Sequence, residues 1–495
     1  MLVRQIHNFF KEITIIEIIC LSLLLILTIF LRFWNLEKWT LVQSDELYMI
    51  HQLNQPILSE KGLESTYFPV IILTKLFFFI DSFPGYRYII AFLSIIGIFF
   101  VYLATKNTLR KKKSIFAFLA MILVSINAKI LSFSLQFQNV ISDILFPPII
   151  LYLYFKWVNT KNKIYIPLIF FFSALGINGH ASMIYFVFPL FIWFFYLILK
   201  KQIELKLVFL SGIIFMFFMI PYFEVLIKNT LAGDLNMFLR WRYFSYGLSY
   251  QKPYLVNLFH PDSFLKFLSF SLFTNEYWFT TSFILFLLTF LLILYLKNNT
   301  HEKKLTFLIW QSYGIILLMF FSIVPAYNPA QFIPFIIVLS SLIAKIASSN
   351  YKFVKLVLLL SLILLYFNIL SVIDILKMNE YDKLEKIWPS HVEKIIIERY
   401  SYNILGYTHL LKNITKFDIF GCEDNGIYSV NFEDAKEIFP KNISYNPDYF
   451  RDLNLTNSDL IIFHKRCLTQ GYLSRINLTL ENLHGLSEIP MFRVV

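Results

Sequence analysis

ITIIEIICLSLLLILTIFLRF, residues 13–33, decides the fold class. A helix of this length rises about 30 Å, the thickness of a bilayer's hydrocarbon core. The run is too long for the apolar core of a secretory signal, and no small-x-small cleavage site follows it. It therefore reads as a retained first span. Comparable apolar runs follow at 87–105, 114–131, 139–156, 164–178, 181–199, 207–227, 277–296, 305–324, 330–347 and 353–373. Composition points the same way: the 495 residues are 57% hydrophobic and 15% charged, against about 25% charged in a soluble domain. The fold class expected is an all-α polytopic membrane domain of about 11 transmembrane helices, with a small C-terminal extracytoplasmic α/β domain.

The basic residues set the orientation. Arg4 and Lys11 precede the first span, and later clusters fall after every second span, at 106–113, 156–163, 200–206, 297–304 and 345–355. By the positive-inside rule the N-terminus is cytoplasmic and the C-terminal segment extracytoplasmic. The inner membrane of a cell is the expected location. The formal charge of +12 does not indicate nucleic acid as a partner, because it is dispersed in short clusters between spans and forms no basic groove. This alternation requires that YFPVIILTKLFFFI, residues 67–80, does not cross. It is short for a span and contains Lys75, so it reads as an interfacial or re-entrant helix on the outer face.

Three outward regions are then large enough for chemistry: 34–86, 228–276 and the tail 374–495. Residues 1–373 form the membrane domain. In the tail the composition turns polar, with strand-like runs at 417–420, 459–463 and 491–495 and a helical pattern at 381–399. Cys422 and Cys467 follow two of those strand-like runs. If the strands are parallel neighbours the thiols could pair on an oxidising face; two free thiols is the alternative.

Asp45 and Glu46 lie in WTLVQSDELYMI (39–50), just beyond the first span. Carboxylates at an apolar, aromatic-rich boundary are partly desolvated, which separates their pKa values and suits one to accept a proton from a hydroxyl. The plainer reading is a helix N-cap, a role that Ser44 and Asp45 both suit. Near the fourth span, Ser132, Gln136, Asn139 and Asp143 are spaced four, three and four apart, which on one helix makes a single polar face. Such a stripe faces a wet cavity or serves as interhelical hydrogen-bond glue. Cations for an anionic group are Lys75, Arg87, and Arg240 and Arg242 in MFLRWRYF (237–244), each also suited to snorkelling at headgroups. His180 in GINGH (176–180) is suited to binding a substrate or to capping its hairpin. His260 and Asp262 in FHPDSF lack metal-ligand spacing, so no metal site is assigned, and a divalent cation stays open as a cofactor.

The stretch LRFWNLEKWTLVQSDELYMI (31–50) resembles the opening of the GT-C integral-membrane glycosyltransferases, specifically the protein-O-mannosyltransferase and aminoarabinose-transferase group. Arg32, Trp39, Asp45, Glu46 and Tyr48 match that pattern, as do Pro69 in TYFPV, Arg87 in GYRYIIAF and His180 in GINGH. Two stretches depart from it. SLQFQNV (134–140) carries Gln136 and Gln138 where the group has an acid and an arginine, and NPAQFIPF (328–335) carries Gln331–Phe332 in place of Arg-Tyr. The resemblance implies a polyprenyl- or dolichyl-phosphate-linked sugar as donor and a hydroxyl of a glycan, lipid or protein as acceptor. It also implies inversion at the anomeric carbon, with Asp45 as base, Glu46 sharing the acidic site, and Arg87 with Lys75 at the donor phosphate. Gln136, Asn139, Asp143, His180, Arg240, Arg242 and Gln331 are the further substrate-binding candidates. No nucleotide-binding loop is present. A lipid or glycan transporter, an outer-leaflet glycan polymerase or ligase, and a non-catalytic relative are the competing readings.

Overall fold

The computed structural model of the protein describes residues 15–34, 68–76, 85–109, 115–137, 140–180 and 183–221. Beyond these it describes a turn residue at 36, single helical positions at 49, 53 and 223, other helical positions between 304 and 376, and six strands between 394 and 494. The chain divides into two compact units, one of residues 1–34, 57–80 and 86–375, the other of 35–56, 81–85 and 376–495.

The first unit is helical. Its helices are α1 (Ile15–Phe33), α2 (Phe68–Leu76), α3 (Tyr86–Thr108), α4 (Ile115–Ser125), α5 (Ala128–Ser134), α6 (Ile141–Thr160), α7 (Tyr165–Gly179), α8 (Ile184–Leu199) and α9 (Leu205–Phe218). Among the described residues α1, α3 and α6 are long and apolar enough to cross a membrane. The predicted spans from 13–33 to 207–227 coincide with α1 and α3 to α9; those from 277–296 onward fall wholly or largely outside the described residues. The stretch 67–80 contains α2, which covers nine residues of it; residues 67 and 77–80 lie outside the described residues.

Two expectations are corrected. The apolar run 114–131 is not one helix: it breaks after Ser125, and Asn127 caps α5 by accepting from the Ile130 amide at 3.0 Å. Nor do Ser132, Gln136 and Asp143 share a helix face. Ser132 lies in α5, Gln136 in the turn after it, and Asp143 in the first turn of α6; Asn139 lies outside the described residues. A short side chain that satisfies the free amides of a new helix start is the physical reason for the break.

α6 is the central helix and α1 is peripheral. In the most apolar stretch of α6, 83% of residues are buried, against 17% in α1, whose Ile15, Leu23 and Ile26 face outward as lipid-exposed residues do. α3 and α6 run in the same direction, meeting in order at Tyr86–Phe137, Gly97–Ile144, Phe100–Tyr152 and Asn107–Asn159. Gly97 permits the closest approach, since a Cβ there would lie 2.5 Å from the Ile144 carbonyl oxygen. That carbonyl is the one left without its helical donor by Pro148, which has no amide hydrogen. Toward the other end of α6, Tyr154 stacks on Phe307 with centroids 3.8 Å apart and accepts from Trp193 Nε1 at 2.8 Å. The tyrosine hydroxyl thus has its partner inside the apolar core.

The second unit contains a six-stranded mixed sheet. Its strands are β1 (Lys394–Glu398), β2 (Lys416–Phe420), β3 (Ile443–Tyr445), β4 (Asp459–Ile462), β5 (Leu480–Asn482) and β6 (Met491–Val494), in the order β3-β2-β1-β4-β6-β5. The first four are parallel; β6 runs antiparallel to β4 and to β5. The predicted strands at 417–420, 459–463 and 491–495 are β2, β4 and β6. The helical pattern at 381–399 is corrected over its last part, where KIIIE forms the strand β1. A continuous apolar core suits a strand with neighbours on both sides better than a half-exposed helix face. The adjacency assumed for a disulfide is also corrected. β1 lies between β2 and β4, so those two strands are not neighbours in the sheet. Cys422 and Cys467 themselves lie outside the described residues.

Candidate active site

The most specific polar arrangement in the helical unit joins the start of α6 to the end of α7. Asp143 is in the first turn of α6, where the unpaired amides and the helix dipole favour a negative charge. His180 follows Gly179 as the C-cap residue of α7, in extended conformation, its amide donating to the Gly176 carbonyl at 2.9 Å. From there its ring reaches Asp143, with Nδ1 2.6 Å from Oδ2. The carboxylate is fully buried and the imidazole nearly so, at 12% exposure. A hydrogen bond from Nδ1 to the carboxylate sets the tautomer of the ring.

Glycines make this contact. A Cβ on Gly179 would overlap Ser142 Oγ, so the end of α7 lies directly against the start of α6. Asn178 holds the same end of α7 from the other side, its Nδ2 donating to the Ala174 carbonyl at 2.9 Å and to the Phe218 carbonyl at the end of α9 at 2.7 Å. GINGH therefore works as a unit, with small residues for approach, an amide to anchor and an imidazole to pair.

Two guanidinium groups are buried along α3. Arg87, its second residue, is fully buried. Arg32, near the end of α1, is also fully buried; its Nε donates to Ser94 Oγ at 2.8 Å and its Nη1 to the Ser125 carbonyl at 3.2 Å, while Nη2 has no hydrogen-bond partner. Ser94 Oγ in turn donates to the Ala91 carbonyl at 2.8 Å, and Thr28, one turn before Arg32, hydrogen-bonds Ser125 Oγ at 3.0 Å. Since Gly97 of α3 meets Ile144, the levels along α3 are Arg87 first, Arg32 at Ser94 two turns further on, and the Asp143–His180 pair close to Gly97. Ionisable groups buried in an apolar bundle are costly.

No protein-family model matches this chain, and no curated protein matches it. Solved structures do. The ArnT of Cupriavidus metallidurans in the apo state has a TM-score of 0.55 at 9% identity, with 95% of this chain and 97% of that one covered. ArnT bound to undecaprenyl phosphate gives 0.53 at 10% identity with the same coverage. The apo oligosaccharyltransferase of Archaeoglobus fulgidus gives 0.52 at 14%, covering 92% of this chain and 70% of that one. This chain has the GT-C fold.

With α1, α3 and α6 long and apolar enough to cross a bilayer, it is an integral membrane protein, and the fold expected from the 31–50 stretch is the one found. Of the predicted site residues, Asp143 and His180 are in direct contact, Arg87 is buried at the start of α3, and Gln136 is buried in the turn after α5. Lys75, on α2, is half-buried, and burial lowers its pKa below the ordinary lysine value. Asp45, Glu46, Asn139, Arg240, Arg242 and Gln331 lie outside the described residues. Sequence reasoning noted Arg32 as a motif residue and missed its burial and its hydroxyl partners. The available signal was an arginine inside the apolar run with Thr28 four residues before it, on the same helical face.

Proposed function

We propose that the chain transfers a glycosyl group from a polyprenyl- or dolichyl-phosphate-linked sugar to an acceptor hydroxyl on the extracytoplasmic face of the membrane. The observation that carries this reading is the likeness, along nearly the whole of both chains, to an ArnT that binds undecaprenyl phosphate. In the proposed step Asp45 takes the acceptor's proton, and the acceptor oxygen bonds to the anomeric carbon from the face opposite the phosphate. The carbon–phosphate-oxygen bond breaks with its electron pair leaving on the lipid phosphate, so the configuration inverts. Glu46 shares the acidic site. Arg87 and Lys75 are the cations suited to the phosphate, where charge-assisted donors hold developing negative charge. Asp143 and His180, paired where α6 starts and α7 ends, suit a polar head group such as a sugar presents.

The burial of that pair inside the helical unit also favours one other reading, a transporter of lipid-linked glycans, whose polar site lies within the bundle. Mass spectrometry of surface glycans with and without the protein, and with Asp45→Asn, separates the two. Transferase chemistry requires that Asp45→Asn abolish addition of the sugar while the protein still reaches the membrane in normal amounts. Undiminished transfer by that variant removes Asp45 as the base, and a glycan that is fully built but retained on the inner leaflet points to transport.

A further inference from the structure

The ends of α6 and α8, opposite the Asp143–His180 pair, carry a second arrangement that glycosyl transfer does not use. Residues 156–163 and 200–206 hold Lys156, Lys161, Lys163, Lys200, Lys201 and Lys206 against a single acid, Glu204. Lys163 Nζ meets Glu204 Oε1 at 2.5 Å, which ties the two loops into one platform. Three of the lysines lie over the aromatic ring four residues before them: Lys161 over Trp157 at 5.0 Å, Lys156 over Tyr152 at 5.6 Å and Lys200 over Tyr196 at 5.9 Å. Beside them Leu199, Leu205 and Ile164 are exposed, at 66%, 67% and 53%. Cations held over ring faces, with bare aliphatic side chains next to them, match a molecule with an anionic head and an apolar tail.

The backbone adds an independent sign. Lys161 and Lys201 end α6 and α8 in the left-handed conformation, with φ of 56° and 54°. They are the positive-φ non-glycine residues among those described, and at a helix end glycine ordinarily takes this conformation without the steric cost a side chain carries. Orientation by charge needs lysines somewhere in each loop and does not need them at the strained position. Both loops place one there.

We propose that this platform binds the headgroups of anionic glycerophospholipids in the adjoining leaflet, with Lys161 and Lys201 as its fixed contacts. The proposal does not depend on the transferase reading. Its test uses the full-length protein in nanodiscs of phosphatidylcholine titrated with phosphatidylglycerol, with lipid preference read by mass spectrometry of retained lipid and stability read by thermal unfolding. The wild type is expected to retain phosphatidylglycerol preferentially and to lose most of that preference in 1 M salt, as about 3 Å of screening length implies. The Lys161→Gly/Lys201→Gly variant is expected to lose affinity for phosphatidylglycerol about five-fold per lysine, on the order of thirty-fold in all. In pure phosphatidylcholine it should unfold at the wild-type temperature or above, because glycine relieves the left-handed strain. The charge-conserving Lys161→Arg/Lys201→Arg variant should keep the preference, which separates lost charge from lost fold. Equal retention of the two lipids by the wild type, an undiminished preference in the glycine variant, or displacement of phosphatidylglycerol by millimolar inorganic phosphate would overturn the proposal.

Discussion

Replacing Gly179 with alanine tests the geometry on which the Asp143–His180 pair depends. A Cβ at this position would overlap Ser142 Oγ and sit 2.9 Å from Ser142 Cβ, inside the 3.0 Å below which real Cβ contacts are essentially never seen. Ser142 Cβ is fixed to the α6 backbone, so rotating the hydroxyl away relieves only part of the overlap. The helices must part by a few tenths of an ångström to about 1 Å, and overpacking of this kind costs about 1–3 kcal/mol. A separation at the upper end of that range would carry the 2.6 Å Nδ1–Oδ2 bond past hydrogen-bonding distance. Ser142→Gly supplies the control. It removes both offending atoms, and the next neighbour of the new Cβ is Phe146 Cε2 at 3.7 Å, an ordinary contact. Ser142 Oγ is buried without a hydrogen-bond partner, so its removal forfeits no bond, and the single variant should cost no more than about 1 kcal/mol of helix propensity. Thermal unfolding of the purified protein should show Gly179→Ala lowered by several degrees, Ser142→Gly near wild type, and the double variant recovering most of the loss. Strict additivity, within about 0.5 kcal/mol, would refute the close approach.

Other perturbations probe the rest of the polar architecture. Arg32→Met should leave thermal stability unchanged or raised, because the buried guanidinium has hydroxyl and carbonyl partners only and no ion pair to lose; a fall of many degrees would reveal an anionic partner. Trp193→Phe deletes the donor to Tyr154 and strands a buried hydroxyl, at a cost of about 1–3 kcal/mol; Tyr154→Phe on the same background should restore most of it. Lys75, its pKa lowered by burial, carries its proton at a disadvantage in the folded state, so stability should rise with pH across the interval just below 10.5. Carbon-13 methyl labelling should place its titration below that value, and Lys75→Met should flatten the rise.

The helical spans could be read directly because long apolar runs admit few other folds. Their breaks could not be read the same way. At Ser125–Ala128 the apolar pattern continues through Ile126, and only Asn127, a single cap residue, marks the end of one helix and the start of another. The stripe inferred across 132–143 failed for that reason: periodicity counts positions along a helix and does not see where the helix stops. Asp143 and His180 were each visible as polar residues at the ends of apolar runs. Their pairing was not, since 37 residues and two helices separate them and the contact depends on a glycine's missing Cβ. In the polar tail, three alternating or apolar runs were long enough to identify β2, β4 and β6, whereas KIIIE sat inside a charge pattern of helical spacing and became the strand β1.

Gly97, Pro148 and Gly179 act on the same turn of α6. Pro148 removes an amide and frees the Ile144 carbonyl; Gly97 lets α3 close over that carbonyl; Gly179 lets α7 close over Ser142, one residue before Asp143. Each of these residues is a poor choice for an apolar helix taken alone, costing about 1 kcal/mol for a glycine and about 3 kcal/mol for an interior proline. Together they bring two helices to a carboxylate that is thereby removed from solvent, and the carboxylate is then stabilised by the helix start on one side and by His180 on the other. A clasp between α6 and α7 alone would be made more stably by aliphatic side chains at Asp143 and His180, since an apolar replacement of a buried pair is often neutral or stabilising. An ionisable pair buried in this packing arrangement is therefore what the proposed sugar-binding role accounts for and a mere clasp does not. A testable consequence is that Asp143→Leu/His180→Leu should match or exceed the wild type in thermal stability while abolishing transfer of the sugar. A double variant that unfolds early would reduce the pair to a structural bond.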